Sequence, residues 1–164
     1  MMSDLVKKKE KQSEVLFWSI ALPGFGQLLN RKYFKAFILI TLEFLINVQG
    51  KINVVIVYSF LGEMQDAIHE ADFLWLMFYP CIYLFAIWDA YRDAGGWAYP
   101  YLFLPFVFSA YFGTLGVIYS TRFEIMGYLI GPIFLPIIMM ILGFIIGLMI
   151  RKIIRYRIGK TGES

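Results

Sequence analysis

One ionisable residue interrupts an apolar run of this chain, where a charge is costly. Glu43 lies within the stretch from Phe34 to Val48, and Asn47 follows one helical turn later on the same face. A carboxyl group at such a position is either a functional group or a paired structural one. The sequence therefore allows two interpretations of Glu43. It forms a structural hydrogen bond or an ion pair, with Lys51 or the first segment as partner, or it lines a proton or ion pathway.

A second group of charges lies at the end of another apolar run. Asp89, Arg92 and Asp93 are spaced i, i+3 and i+4, which places them on one helical face at a membrane boundary. An arginine flanked by two carboxylates predicts a local salt bridge that closes the helix end. Docking of a partner is the alternative interpretation.

The usual signals of an enzyme or a metalloprotein are missing from the sequence. His69 and Cys81 are each the only residue of their type, so a two-histidine metal site and an intramolecular disulfide are excluded within one chain. Cys81 lies in an apolar block and is interpreted as a packing residue. With no nucleotide-binding loop and no nucleophile beside a base, we expect no catalytic residue, no metal and no cofactor.

A conformational break is predicted near the N-terminus. Proline disfavours helical geometry in the preceding residue and glycine permits a tight turn, so the apolar run from Val15 should break and resume briefly through Leu29. Polar side chains after the break can hydrogen-bond carbonyl groups that lipid could not satisfy. A ligand site is the alternative. The motif comprises Pro23, Gly24, Gly26, Gln27 and Asn30.

Pairs of small residues four positions apart occur in the last third of the chain. Such spacing lets membrane helices approach closely, either within one copy or between two copies. Prolines in the apolar runs, Pro80, Pro105, Pro132 and Pro136, are expected to kink them. The glycine pairs are Gly127 with Gly131 and Gly143 with Gly147, and Gly113 and Gly116 form a smaller notch.

The composition shows what kind of elements must hold these residues. The 164 residues are 60% hydrophobic and only 16% charged, against about 25% charged in soluble domains. No charge occurs from Ala94 to Thr121 or from Met126 to Ile150, and each block is long enough to cross a hydrocarbon core, which takes about 20 residues. The chain is therefore predicted to be an all-α polytopic membrane protein.

Four transmembrane helices and a short broken or re-entrant N-terminal helix are expected. The basic start and its apolar run resemble a signal peptide, but Pro23 and a further basic cluster argue against cleavage. The predicted organisation is a basic N-terminus (1–13), a helical module (14–95) with an amphipathic interfacial segment at about 51–70, a transmembrane hairpin (96–150) and a basic tail (151–164).

The basic residues predict the orientation. Of the 15 lysines and arginines, all but Lys51 and Arg122 fall on one side if both termini are cytoplasmic. We therefore expect a cell-membrane protein whose tail attracts anionic lipid headgroups, at about 1 kcal/mol per basic residue. Most of the chain is predicted to lie in lipid, so nucleic acid is not an expected partner. The headgroup-binding residues would be Arg151, Lys152, Arg155 and Arg157.

Two landmarks resemble a known group of proteins. Pro23-Gly24-Phe25-Gly26-Gln27 with Asn30 and Lys35 resembles the Pro-Gly-x-Gly-Gln…Asn…Lys pattern of TM2-like small bacterial membrane proteins. Trp88-Asp89-Ala90-Tyr91 resembles their second landmark, which closes the paired helix. Leu29, Arg31 and Ala36 depart from the pattern. The resemblance covers residues 14–95 and implies a helical-hairpin module in a bacterial plasma membrane, without a common chemistry.

The function expected from these observations is not enzymatic. An accessory or assembly factor that packs against other membrane proteins, or against a second copy, fits the lack of a soluble domain. A small transporter or channel subunit, with a polar path near Glu43, is the alternative.

Overall fold

The computed structural model describes residues 2–96 and 100–161. The described part does not include residues 97–99, near the start of the predicted hairpin, or residues 162–164, at the end of the predicted tail. The elements in chain order are α1 (Met2–Ala21), α2 (Phe25–Leu29), α3 (Tyr33–Gln49), α4 (Ile52–Leu61), α5 (Met64–Glu70), α6 (Phe73–Leu76), α7 (Tyr79–Asp93), α8 (Phe103–Tyr119), β1 (Glu124–Ile125), β2 (Tyr128–Leu129) and α9 (Gly131–Thr161).

The predicted all-α class is confirmed, with one small exception. Strands β1 and β2 form a two-residue antiparallel ladder in which Glu124 pairs with Leu129 and Ile125 with Tyr128. The turn between them consists of Met126 and Gly127, both with positive φ, as a two-residue hairpin turn of type I′ requires. This hairpin connects the two longest apolar blocks of the chain.

Two helical stretches of the described residues are long and apolar enough to cross a membrane. One is Phe73–Asp93, formed by α6 and α7, and the other is Gly131–Ile158 of α9. A third span results if α3 and α4, which are bent by 58° at their junction, are taken together. Helix α8 is apolar but has only 17 residues. The described residues thus contain two to three candidate membrane spans by length and composition, against the four expected.

The bend between α3 and α4 lies at Gly50 and Lys51. Lys51 has a left-handed backbone (φ 53°) and α4 begins at the next residue. The predicted amphipathic segment at 51–70 is different in the structure. Helix α4 is apolar around its circumference except for Asn53 and Ser59, and polar residues become frequent only in α5, after the left-handed Gly62. The acidic residues Asp66 and Glu70 of this segment therefore belong to a separate helix, α5.

Helices α8 and α9 form a closely packed antiparallel hairpin. A Cβ atom at Gly143 would lie 2.5 Å from the Phe108 carbonyl oxygen, and one at Gly147 would lie 2.5 Å from Cα of Pro105. From the other side, a Cβ atom at Gly116 would lie 2.6 Å from Cα of Pro136. Glycines of both helices thus allow backbone to approach backbone. In the structure these contacts are made within one copy.

The other predicted glycine pair does not lie on a helix face. Gly127 belongs to the hairpin turn, with nothing within 4 Å of an added Cβ atom, and Gly131 starts α9 with a φ of 81°. The two glycines therefore do not share a helix face, because their spacing spans a turn, a strand and a helix start, and only Gly131 lies at a close contact, 2.5 Å from Met64 Sδ for an added Cβ atom.

Three of the four prolines lie in the first turn of a helix instead of interrupting one. Pro80, Pro105 and Pro132 fall among the first residues of α7, α8 and α9. The missing N–H of proline is harmless at such positions. Pro105 and Pro132 therefore begin helices instead of kinking them, Pro80 follows the interruption between α6 and α7 within the span Phe73–Asp93, and only Pro136 lies inside a helix.

The N-terminal helices pack along α7. Tyr83 donates a hydrogen bond to the Ile20 carbonyl oxygen (2.7 Å), and Val15 packs with Ala90 and Ala94. Helix α1 therefore runs antiparallel to α7. The chain turns between Ala21 and Phe25, at Pro23-Gly24, and α2 returns along α7.

Candidate functional site

A buried aspartate at the end of α7 connects three helices. Asp89 is 2% exposed. Its Oδ1 atom lies 2.8 Å from Lys35 Nζ at the start of α3, and its Oδ2 atom lies 3.0 Å from the same nitrogen. Lys35 Nζ also reaches Asp93 Oδ2 at 2.9 Å. One lysine of α3 is thus shared by two carboxylates of α7.

Arginine and amide groups complete the coordination of Asp89. Arg92 NH2 donates to Asp89 Oδ1 (2.8 Å) and lies 3.9 Å from Asp93 Oδ1, so the predicted three-residue cluster on α7 is present. Arg92 also lies over the ring of Trp88, 4.3 Å from its centroid, which adds a cation–π contact. The sequence reasoning missed Lys35 as a member because it lies 54 residues away.

The amides of the helix-break motif bind α7, not their own broken helix. Gln27 Nε2 donates to the Ala86 carbonyl oxygen (2.9 Å) and to Asp89 Oδ2 (3.3 Å), and Asn30 Nδ2 donates to the Ala90 carbonyl oxygen (2.8 Å). The expectation that they satisfy carbonyls exposed by the break is therefore corrected. They hold α2 against α7.

The two glycines of the motif make this approach possible. A Cβ atom at Gly26 would collide with Ser19 Oγ and lie 2.7 Å from Cβ of Ala90. Gly24 has a φ of 97°, which disfavours other residues, and its added Cβ atom would lie 2.5 Å from Ile40. Gly24, Gly26, Gln27 and Asn30 thus lie at contacts of α2 with α1, α3 or α7, and Pro23 is buried at the turn. We name the set formed by Gln27, Asn30, Lys35, Asp89, Arg92 and Asp93 the ion network.

Glu43 is buried, but its surroundings differ from those expected. Its carboxyl group has the Tyr79 hydroxyl of α7 as hydrogen-bond partner, while its Oε2 atom has none within the described part of the chain. Asn47 bonds Asn53 (3.3 Å) instead of sharing a polar spot with Glu43.

The proposed pairing of Glu43 with Lys51 is contradicted by the structure. Lys51 Nζ lies 2.9 Å from Glu70 Oε2, so it joins the α3–α4 bend to the end of α5. The hydrogen bond and the positive charge of Lys51 hold the pKa of Glu70 below its ordinary value. This pair lies at the surface, since the side chains are 54% and 36% exposed.

Two apolar grooves lie on the surface of the helices. The first, which we name the long groove, has a volume of about 690 Å³ and lies between α1, α7, α8 and α9. The second, the α7–α8 groove, has about 730 Å³. Its lining residues are Cys81, Phe85, Trp88, Phe103, Phe106, Val107, Ala110, Tyr111 and Thr114.

The basic residues of the predicted headgroup cluster lie at the end of the long groove. Arg151 lines it and donates through Nε to the Pro100 carbonyl oxygen (2.9 Å). Lys152 and Arg155 line an adjoining depression, and Arg157 follows on the exposed end of α9.

The ion network can pair buried charges and hold α2 and α3 against α7. Within residues 2–96 and 100–161, no group of three or more histidine, cysteine, aspartate or glutamate side chains could hold a metal ion. Comparison with protein-family models, with curated proteins and with solved structures found no match to this chain.

Proposed function

We propose that the chain is a non-enzymatic multi-pass membrane protein that acts as an accessory or assembly factor by packing against other membrane proteins. The observation that supports this most is that polar side chains bind inside the protein while large apolar side chains are exposed on its surface. The charges and amides of the ion network bind one another and the backbone of α7. Large apolar residues, among them Phe44, Val107 and Tyr111, are exposed instead. Such an exterior suits lipid and partner helices.

The proposed topology has four crossings and both termini on the cytoplasmic side of the cell membrane. It takes α8 as a short span, because α8 pairs along α9 and its 17 residues extend about 26 Å, close to the roughly 30 Å of a hydrocarbon core. The hairpin of α1 and α2 would enter and leave on the cytoplasmic side. Its turn reaches the level of Tyr83 on α7.

We also propose that residues 14–95 form a TM2-like module. The support is that the two landmarks of the resemblance are in direct contact. Gln27, Asn30 and Lys35 from the first bind Asp89 and its helix, which belong to the second. The residues of the two landmarks are therefore those that hold α2 and α3 against α7 in this chain.

The α7–α8 groove is the face proposed for a partner helix. Small residues in its lining, Cys81, Ala110 and Thr114, would allow close approach, and aromatic residues such as Trp88 and Tyr111 are typical of interfaces. A partner helix laid here would bury side chains that are now exposed.

Photo-crosslinking in the native membrane tests this role. A benzophenone amino acid replaces Val107 or Tyr111 at the groove, and Val57 on α4 is the matched control, since Val107 and Val57 are 55% and 56% exposed. We expect one discrete adduct with the same membrane protein at both groove positions and only lipid adducts at position 57. Lipid adducts at all three positions, or adducts with a second copy alone, would contradict an accessory role.

The second candidate is a transporter or channel subunit with a polar path at Glu43. It is favoured by the buried Oε2 atom of Glu43, which lacks a partner among the described residues. The test is proton or cation flux into proteoliposomes. Glu43→Gln should abolish the flux while the protein still purifies as a folded species. Equal flux with protein-free vesicles would remove this candidate.

A further inference from the structure

We propose that the long groove and the basic end of α9 form a binding site for one anionic phospholipid of the bilayer. The acyl chain would lie in the groove and the phosphate would lie against Arg151, Lys152 and Arg155. This goes beyond the proposed function, because it assigns a specific lipid ligand and does not depend on any partner protein.

The first argument is the shape and length of the groove. Along α9 it extends from Ile137 to Arg151, which is about 21 Å at the rise of an α-helix. One leaflet of a hydrocarbon core is about 15 Å deep. The groove is therefore long enough to hold a chain that enters at the headgroup level and reaches the bilayer centre. Its volume of about 690 Å³ lies within the usual range of ligand sites.

The second argument is its lining. The middle of the groove is apolar, with Leu84, Phe106 and Phe144 among its residues. The polar groups found there have partners: Ser109 Oγ donates to the Met140 carbonyl oxygen, and the Tyr83 hydroxyl donates to that of Ile20. Such a lining suits a hydrocarbon chain and offers nothing to a polar ligand.

The third argument is the charge at one end. Arg151 lines both the long groove and the adjoining depression, which Lys152 and Arg155 also line. The apolar and basic parts are therefore one continuous surface. Charge at only one end of an apolar channel is complementary to a ligand with an anionic head and a hydrocarbon tail, and each basic residue near a headgroup contributes about 1 kcal/mol.

The test measures lipid retention by native mass spectrometry of the full chain in detergent. The probes are phosphatidylglycerol, phosphatidylcholine with the same acyl chains, and glycerol phosphate without chains. We expect phosphatidylglycerol to bind at least about fivefold more tightly than phosphatidylcholine, because one contact worth 1 kcal/mol gives that ratio. Glycerol phosphate should neither bind nor compete. Equal binding of the two lipids, or competition by glycerol phosphate, would overturn the proposal.

Two variants separate the groove from the basic end. Ile145→Trp should obstruct the groove, and Ile138→Trp is its matched control, since both isoleucines lie on α9 and are 50% exposed but only Ile145 lines the groove. Binding should fall at least tenfold in the first variant and remain in the second. Equal binding by both variants would contradict the acyl-chain position.

The double variant Lys152→Gln/Arg155→Gln should reduce phosphatidylglycerol binding by about 10- to 30-fold and phosphatidylcholine binding much less, because the choline cation already offsets the charge of its phosphate. Both side chains are exposed, so the helix should fold as before. Unchanged phosphatidylglycerol binding would contradict the headgroup position. The outcome is independent of the crosslinking result, which concerns the α7–α8 groove.

Discussion

Asp89 is the residue on which most of the polar contacts converge. Buried ions are stable only when their charges are paired, and removal of one partner leaves the other uncompensated. Lys35 and Arg92 are the partners, with 41% and 23% of their side chains exposed. Water therefore screens part of the loss if Asp89 is neutralised.

Neutralising Asp89 should destabilise the fold. We expect Asp89→Asn to lower the free energy of unfolding by about 1–3 kcal/mol, since Lys35 and Arg92 then keep Asp93 but lose the buried carboxylate that both of them contact. Thermal unfolding in detergent measures the change. Asp66→Asn on the exposed face of α5 is the control and should have little effect. Equal unfolding temperatures for the two variants would contradict the central role of Asp89.

The Lys51–Glu70 pair predicts a pH dependence. Because the folded-state pKa of Glu70 is below its ordinary value, the pair stabilises the protein above the unfolded-state pKa, and this stabilisation is lost as the pH falls through the lowered pKa. The wild type should thus unfold at a slightly higher temperature than Glu70→Gln at pH 7. The difference should vanish when the pH is below the lowered pKa of Glu70. A difference that persists there would have another cause.

Residue spacing revealed part of the site. The i, i+3, i+4 pattern identified Asp89, Arg92 and Asp93 as a cluster, since neighbours on one helix can be read from the sequence. The contribution of Lys35 depends on how α3 packs against α7, which local spacing does not contain. Helix packing also decides the partner of Glu43. Lys51 was considered as that partner because it is near Glu43 in the sequence.

At the scale of elements, the hairpin of α8 and α9 depends on glycines where the helices meet. The spacing of Gly143 and Gly147 correctly predicted close packing, because both lie on one continuous helix. The same spacing at Gly127 and Gly131 was misleading. A four-residue interval has this meaning only within a helix, and Met126-Gly127 forms a turn.

Two substitutions distinguish these glycines. Gly143→Ala should cost about 1–3 kcal/mol, since its Cβ atom would lie 2.5 Å from the backbone oxygen of Phe108. Gly127→Asn should be nearly neutral, because asparagine tolerates a positive φ and the site has open space. The unfolding temperatures in detergent compare them. A larger loss for Gly127→Asn would mean that this turn, and not the helix contact, limits stability.

The whole molecule is organised around α7, which contacts helices on both sides. The helical class and some helix ends could be predicted, because charge-free blocks, Pro23-Gly24 and Gly95 are local signals, whereas the divisions between α4 and α5 and between α6 and α7 were not. The number of membrane crossings could not be predicted from the sequence, since the bend between α3 and α4 and the length of α8 depend on packing.

Labelling of single cysteines tests the orientation. In a Cys81→Ser background, cysteines at positions 9 and 152, which are both exposed, should be accessible from the cytoplasmic side, and one at Gly127 only from the opposite side. An impermeant maleimide, applied to intact cells and to inverted vesicles, measures this. Labelling of positions 9 and 152 from opposite compartments would show an odd number of crossings.

The separation of Lys35 from its partners has a consequence for biosynthesis. Asp89 and Asp93 follow it by 54 and 58 residues, so at about 5–20 residues per second the ribosome delivers them several seconds later. During that interval Lys35 lacks its counter-ions, and Gln27 and Asn30 lack the carbonyl groups of Ala86 and Ala90. The docking of α2 and α3 must therefore follow the emergence of α7, although both helices are translated well before it.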